Sequence, residues 1–376
     1  LIGTIIGSIA VGKPADILGR RKTMFVLAGL YFVSAVGSAY AWDWYSFVIF
    51  RFIGGLGVGG SSVVSPMYIA EISPARMRGR LVALAQFNIV FGILLAFFSN
   101  YIIGTLDLGE LAWRWMMGVE ALPAAGFFLL LFLVPRSPRW LLAKGREDEA
   151  RSVLRRVGTD AADESVEAEL AEIKRSLDIE RHNLAEPFFH RKYFRPIMLA
   201  VMIAMFNQLS GINAILYYSK RIFESAGFGA SASLLNSVGL GLVNLVFTMA
   251  ALLVIDHFGR KKLMLAGSIG YIVSLGAAAA AFYTQSHLVP NPEKSGEMIR
   301  QISSTGGVIV FVSLLVFIAA HAFGQGAVIW VFISEIFPNR ARARGQALGS
   351  FTHWVFAALI SQTFPMIAEA SGGHIF

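Results

Sequence analysis

A charged pattern that occurs twice constrains this chain more than any other feature. Gly12-Lys-Pro-Ala-Asp16-Ile-Leu-Gly19-Arg20-Arg21-Lys22 lies between two apolar spans, and Asp256-His-Phe-Gly259-Arg260-Lys261-Lys262 lies between two others. A second pair follows in the same order. Glu71-Ile-Ser-Pro74-Ala-Arg-Met-Arg78-Gly79 comes after the first, and Glu335-Ile-Phe-Pro338-Asn-Arg-Ala-Arg342-Ala-Arg344-Gly345 after the second. Repetition in one order within an apolar chain indicates a duplicated membrane unit. Parallel repeats of this kind are a transporter architecture, with the solute site where the halves meet near the bilayer midplane.

The rest of the composition agrees. The 376 residues are 56% hydrophobic and 15% charged, well away from a soluble domain. A helix needs about 20 apolar residues to cross the hydrocarbon core. Ten candidate spans follow: 1–12, 23–41, 46–70, 80–104, 113–134, 196–218, 232–255, 263–285, 306–334 and 346–369. The chain opens inside one span and stops just after another. With the repeat complete, one helix is expected to be missing at each end, so that ten visible helices belong to two six-helix halves. The expected domains are an N-terminal bundle over 1–134, a helical linker over 135–195 and a C-terminal bundle over 196–376.

The formal charge of +8 raises the question of a polyanion partner. Its distribution answers it. If the Gly-Arg-Arg-Lys loop is cytoplasmic, 26 of the 32 lysines and arginines fall on that side. This is the positive-inside rule, and it makes the charge a topology signal for a multi-pass cell-membrane protein, not a nucleic-acid site. Cysteine is absent, so disulfides play no part.

Segment 135–195 is the long polar stretch and lies on the cytoplasmic side. Val153, Leu154 and Val157, then Leu170, Ile173 and Leu177, recur at helical spacing. Short amphipathic helices are expected, acting either as a solvated linker or as a gating latch. The repeated charges form the second expectation. Asp16, Arg20, Arg21, Glu71 and Arg78 in the first half, with Asp256, Arg260, Lys261, Glu335 and Arg342 in the second, could pair at the cytoplasmic ends. A network of weak pairs can bias a two-state equilibrium whose gap is a few kcal/mol. Gly54-Gly-Leu-Gly57-Val-Gly59-Gly60 lacks the Lys-Ser/Thr ending of a phosphate loop and lies inside an apolar span, which makes it a helix-packing surface. Arg51 sits within that span and needs a partner; no carboxylate at matching depth is evident, which points to a helix beyond the N-terminus. Its charge makes it a candidate for ion coupling.

Amides inside apolar spans mark a candidate binding site. Gln86, Asn207, Gln208, Asn213 and Asn244 are all mid-span. Each costs energy in hydrocarbon unless it faces a partner or a wet cavity, so interhelical bonding is the plainer reading of any one of them. Five together favour a neutral hydroxylated solute, because amides supply both donors and acceptors. On a straight helix Gln208 points about 140° away from Asn213; a break at Gly211 would bring them together. Trp330 and Trp354 could supply flat surfaces. Alignment of the Arg-Gly pairs makes His353 nearly the repeat mate of Gln86, so it is expected in the same cavity. His321 and His353 titrate near neutral pH when unperturbed. No metal-ligand spacing, nucleophile–base pair or phosphate loop argues for an enzyme, and no cofactor is implied.

These residues resemble the sugar porter family of the major facilitator superfamily over essentially the whole chain. The matching signatures are Asp16-x-x-Gly-Arg-Arg, Arg51-Phe-x-x-Gly, Pro-Met-Tyr-x-x-Glu71-Ile-x-Pro-x-x-x-Arg78-Gly, Pro-x-Ser137-Pro-Arg-Trp-Leu141, Gln208-Leu-Ser-Gly-Ile-Asn213 with Tyr217-Tyr218, and Glu335-Ile-Phe-Pro. The resemblance implies an all-α membrane fold with two six-helix bundles related by a pseudo-two-fold axis along the membrane normal. It places hexose-binding amides on Gln86, Gln208, Asn213 and Asn244, and an aromatic wall on Trp330. It implies alternating-access transport of a monosaccharide or polyol, as uniport or proton symport. Departures are Asn207 for a glutamine, Arg136 for a glutamate, His353 for an asparagine, and Gly324-Gln325-Gly326-Ala327 in place of a proline-rich stretch. A sugar sensor and a carrier of another small organic solute remain as alternatives.

Overall fold

The computed structural model describes residues 1–73, 78–157, 163–183, 188–290, 298–338 and 341–371. The helices of the first part are α1 Ile2–Ala10, α2 Gly12–Leu18, α3 Arg20–Ala39, α4 Trp44–Ile72, α5 Arg78–Thr105, α6 Ala112–Gly118 and α7 Ala121–Leu130. Segment 135–195 contributes α8 Pro138–Ala143, α9 Glu147–Val157 and α10 Asp163–Asn183. There follow α11 Phe194–Leu209, α12 Ile212–Tyr217, α13 Ser219–Ser225, α14 Ala230–Phe258 and α15 Arg260–Thr284. Strands β1 Ser286–Pro290 and β2 Met298–Ile302 form an antiparallel pair, Ser286 opposite Ile302 and Pro290 opposite Met298. The chain ends in α16 Ser304–Ala320, a π turn at His321–Gly326, α17 Ala327–Ile336 and α18 Arg342–Ser371.

Among the described residues, seven helical stretches are long and apolar enough to cross a membrane. Only 6% of the apolar window in Gln86–Thr105 is fully buried inside the protein; the rest of that stretch is half-buried or exposed. Helix covers each of the ten expected spans, but four are interrupted. Span 1–12 breaks at Val11 between α1 and α2, span 113–134 between α6 and α7, and span 196–218 at Gly211, while span 306–334 passes through the π turn. The segment between spans 263–285 and 306–334 carries the hairpin.

The chain forms two compact units. The first comprises Leu1–Gln86, Trp113–Ala200 and Glu335–Trp354; the second comprises Phe87–Ala112, Val201–Ser334 and Val355–Phe376. In the first, the glycine run of α4 is a packing surface. A Cβ on Gly59 would collide with the Thr4 carbonyl oxygen of α1, and one on Gly7 with that of Leu56, so the two backbones touch. Val11, Ala15, Met24, Leu27, Val64 and Tyr68 close the core beneath. Helices α8, α9 and α10 build a small core of their own from Leu141, Ala150, Leu154, Val166 and Leu170, with Val153 and Ile173 against it. The amphipathic spacing of the segment therefore folds as helices packed on one another. In the second unit the core is Ile215, Leu216, Phe223, Leu240, Leu314 and Phe317, with their neighbours.

Candidate functional site

The amide cluster is built by a backbone break. Gly211 takes φ 85° and ψ 9°, the left-handed region glycine reaches without a Cβ penalty. It ends α11 and starts α12 on a new axis. The 140° separation of a straight helix is thereby cancelled. Asn213 Nδ2 donates to Gln208 Oε1 at 2.6 Å, and Gln208 Nε2 donates to Asn207 Oδ1 at 2.8 Å. Asn207 and Gln208 are 3% and 1% exposed. Among the described residues, the buried Asn207 Nδ2 has no hydrogen-bond partner. Ser210, in the break, donates to the Asn207 carbonyl oxygen at 2.6 Å.

Asn244 is buried on α14 in the same unit, with Thr248 Oγ1 reaching its Oδ1 at 3.5 Å, the outer limit of a hydrogen bond. Tyr217 is exposed, whereas Tyr218 donates to the Ser361 carbonyl oxygen at 2.9 Å and stacks on Phe364. Trp330 is half-buried on α17. In the first unit, Gln86 is half-buried on α5, and His353 and Trp354 meet edge to face at 5.1 Å on α18. The structure thus joins Asn207, Gln208 and Asn213 directly, and His353 with Trp354. His321 bonds Tyr271 Oη through Nδ1 at 2.6 Å.

The charged residues gather at the end of α4. Arg20 is 8% exposed and contacts Asp16 at 3.0 Å and Glu71 at 3.0 Å. Glu71 also accepts from Ser137 Oγ at 2.6 Å. Ser137 caps α8, accepting from Trp140 N at 3.1 Å, and Trp140 Nε1 donates to the Asp16 carbonyl oxygen at 3.1 Å. Ser137 and Trp140 were read only as parts of a signature; the structure makes them the brace between the charged cluster and the linker helices. Arg21 has a different role from the carboxylate pairing expected of it, donating to the carbonyl oxygens of Leu131 and Phe132 at 3.0 and 3.1 Å. In the second unit Arg260 donates to the Ile255 carbonyl oxygen at 3.3 Å and Lys261 is exposed; Glu335, which belongs to the first unit, is exposed as well. The side chains of Arg78, Asp256 and Arg342 lie outside the described residues.

Arg51 departs from the expectation that its partner lay outside the chain. Its guanidinium meets Glu120 at 3.2 Å. Glu120 sits at the break between α6 and α7, where the helix turn opens. It is the single acidic residue in span 113–134, and that alone could have flagged it.

Against known proteins, residues 1–376 match the family model described as sugar (and other) transporter. A D-xylose-proton symporter from Escherichia coli (strain K12) is 36% identical over 394 residues, covering 99% of this chain and 75% of that protein. A glucose transport protein from Synechocystis is 34% identical over 384 residues, covering 99% of this chain and 79% of that protein. The solved partially occluded inward-open conformation of the xylose transporter XylE from E. coli matches with a TM-score of 0.81 at 35% identity, covering 97% of this chain and 78% of that one.

Proposed function

The chain belongs to the sugar transporter family of the major facilitator superfamily, and from that membership we propose that it carries a pentose or hexose held by Gln86, Asn207, Gln208, Asn213 and Asn244. It is a multi-pass membrane transporter working by alternating access, not an enzyme. One observation carries the site assignment. Asn213, Gln208 and Asn207 form an ordered amide chain whose last donor is buried and, among the described residues, unpaired. A buried donor left unpaired costs about 1–3 kcal/mol, and a sugar hydroxyl would recover it. Trp330, His353 and Trp354 complete the set as apolar and polar walls. Residues 1–134 and 196–376 act as the two bundles, and 135–195 as a cytoplasmic helical linker.

Proton symport is the coupling we assign, as in the xylose-proton symporter relative. Glu120 and Arg51 supply the groups for it: neutralising a carboxylate that faces an arginine releases the arginine. The charged cluster of Asp16, Arg20 and Glu71 acts as a gate rather than as part of the sugar site.

Counterflow of labelled D-xylose, D-glucose and D-galactose into proteoliposomes, which needs no ion gradient, tests the site. Uptake of one sugar is expected, with Gln208→Ala weakening binding about tenfold. Wild-type affinity in Gln208→Ala would remove the amide assignment. In the same vesicles Glu120→Gln is expected to abolish gradient-driven uptake and to spare counterflow; loss of neither would remove the coupling assignment.

A further inference from the structure

Helix α9 carries a cavity of about 450 Å³ that neither the sugar site nor the gate uses. Among the described residues it is lined by Asp148, Arg151, Ser152, Arg155 and Arg156. These stand at i, i+3, i+4, i+7 and i+8, so one face of the helix presents all five. The opposite face holds Ala150 and Leu154, buried with Leu141 of α8 and with Val166 and Leu170 of α10. The apolar face thus fixes which side chains turn to the cavity. Its volume falls within the range of about 300–1,000 Å³ common to small-molecule sites.

Three guanidiniums of the lining stand against one carboxylate. Asp148 is exposed and already bonded by Arg151 Nη1 at 3.2 Å. Arg151 also donates through Nε to Glu167 of α10 at 2.6 Å and through Nη2 to Glu147 at 3.4 Å. Arg155 likewise has an interaction inside the protein. Such engagement does not close the cavity, because each guanidinium carries five donors in a planar fork. Arg155, Arg156 and Ser152 are exposed along the same wall.

Blander causes explain part of this. Cations in the last turn of a helix are favoured by its dipole, which accounts for Arg155 and Arg156. It does not account for Arg151, one turn earlier, or for a hydroxyl on the same wall. A solvated basic face accounts for the charge but not for the concavity. Forked guanidiniums match the oxygens of a phosphate group edge to edge. A phosphate has three strong acceptor oxygens and can engage several forks at once, where a carboxylate fills one. The site is also wired to the gate: Arg151 ties α9 to α10, and Ser137, the cap of α8, bonds Glu71 at 2.6 Å. An anion in the cavity competes with Glu167 for Arg151.

We infer that the arginine-lined cavity on α9 binds a phosphate-bearing anion, supplied by a free phosphate ester or by an anionic lipid headgroup. The inference is independent of the amide assignment. The first arm of the test is calorimetric titration of the full transporter, in nonionic detergent at fixed ionic strength, with inorganic phosphate and with glycerol 3-phosphate. The second arm is hydrogen exchange on α9 in phosphatidylglycerol and in phosphatidylcholine nanodiscs. Wild type is compared with the Arg155→Gln/Arg156→Gln double variant and with Arg191→Gln, which removes an exposed arginine of the same segment outside the cavity. Saturable binding in detergent, weakened about tenfold in the double variant and less than twofold in Arg191→Gln, is the result expected of a free phosphate ester. Slower α9 exchange confined to phosphatidylglycerol, lost in the double variant and kept in Arg191→Gln, is the result expected of a lipid headgroup. Should the double variant not fold, Arg156→Gln alone carries the test, with a loss of about threefold. Equal losses in the Arg191 and cavity variants would reduce the site to diffuse charge and overturn the inference. So would folded wild type that neither binds the two phosphates nor responds to phosphatidylglycerol.

Discussion

The two Gly-Arg turns have one backbone and two surroundings. Gly19 adopts φ 86° and ψ 153°, and Gly259 adopts φ 79° and ψ 152°. Each glycine ends one helix and begins the next, and each following arginine reaches back five residues to a carbonyl oxygen: Arg20 to Ala15 at 3.1 Å, Arg260 to Ile255 at 3.3 Å. The likeness stops there. Trp140 lies against Gly19 so closely that a Cβ would be 2.9 Å from its ring, whereas among the described residues a Cβ on Gly259 meets nothing within 4 Å. Arg20 is locked by Glu71, itself tied to Ser137. Trp140 and Ser137 both belong to segment 135–195, which follows the first half. The repeated motif thus specifies a turn, and the 135–195 segment makes the first copy a rigid joint.

That contrast can be broken most forcefully at the glutamates. Glu71→Gln removes the buried one of the two carboxylates on Arg20 and leaves it only the exposed Asp16, and losing one partner of a buried pair costs about 3–5 kcal/mol. Glu335, its repeat mate, is exposed, and Glu335→Gln is expected to cost less than about 1 kcal/mol. Thermal melts in detergent, read beside counterflow rates, measure both. Equal losses at the two sites would show that the linker does not make the first joint special.

The glycines give the next largest effect. Both lie in a region open essentially only to glycine, so alanine at either costs about 1–3 kcal/mol of backbone strain. Gly19→Ala adds a collision with Trp140; Gly259→Ala does not. The melting temperature should fall further for Gly19→Ala. Pairing it with Trp140→Ala should recover the excess and leave the strain, while Trp140→Ala should do nothing for Gly259→Ala. A double-mutant cycle showing no coupling between Gly19 and Trp140 would refute the steric account.

The position of the two turns was legible in the sequence, since each charged motif lies between apolar spans; the arginine reaching back five residues to a carbonyl oxygen was not. The amide cluster was legible too, since Gly211 lies within a few residues of Gln208 and Asn213. What else escaped was set by distant chain. Glu120 is 69 residues from Arg51 and reaches it because α6 and α7 break at that point. The π turn depends on the close approach of Gly324 to Gly267, where a Cβ would be 2.7 Å from the other's Cα, a meeting between separate helices that no local pattern announces. Tyr271 was invisible as a polar partner of His321 until that turn set the ring. The hairpin was missed because five-residue strands on either side of a polar sequence carry little periodicity.

The smallest expected effect sharpens the comparison on the linker itself. If α8–α10 stiffen the first joint, loosening their ion pairs should relax it. Glu147 accepts from Lys174 at 2.7 Å and faces Arg151, and the hydrogen bond from Lys174 holds its carboxyl below the ordinary value of 4.5. A depressed carboxylate contributes stability above its unfolded value and loses it as pH falls through the folded one. The pair therefore stabilises the α9–α10 contact at neutral pH and fades below about pH 4.5. Both groups are exposed, so salt should weaken the contact as well. Hydrogen exchange on α10 is expected to quicken relative to α15 between pH 7 and pH 4, and Glu147→Gln should remove part of that difference. A pH profile unchanged in Glu147→Gln would show that the contact rests on the Leu154 and Leu170 core alone, and that the rigidity of the first joint comes from packing rather than charge.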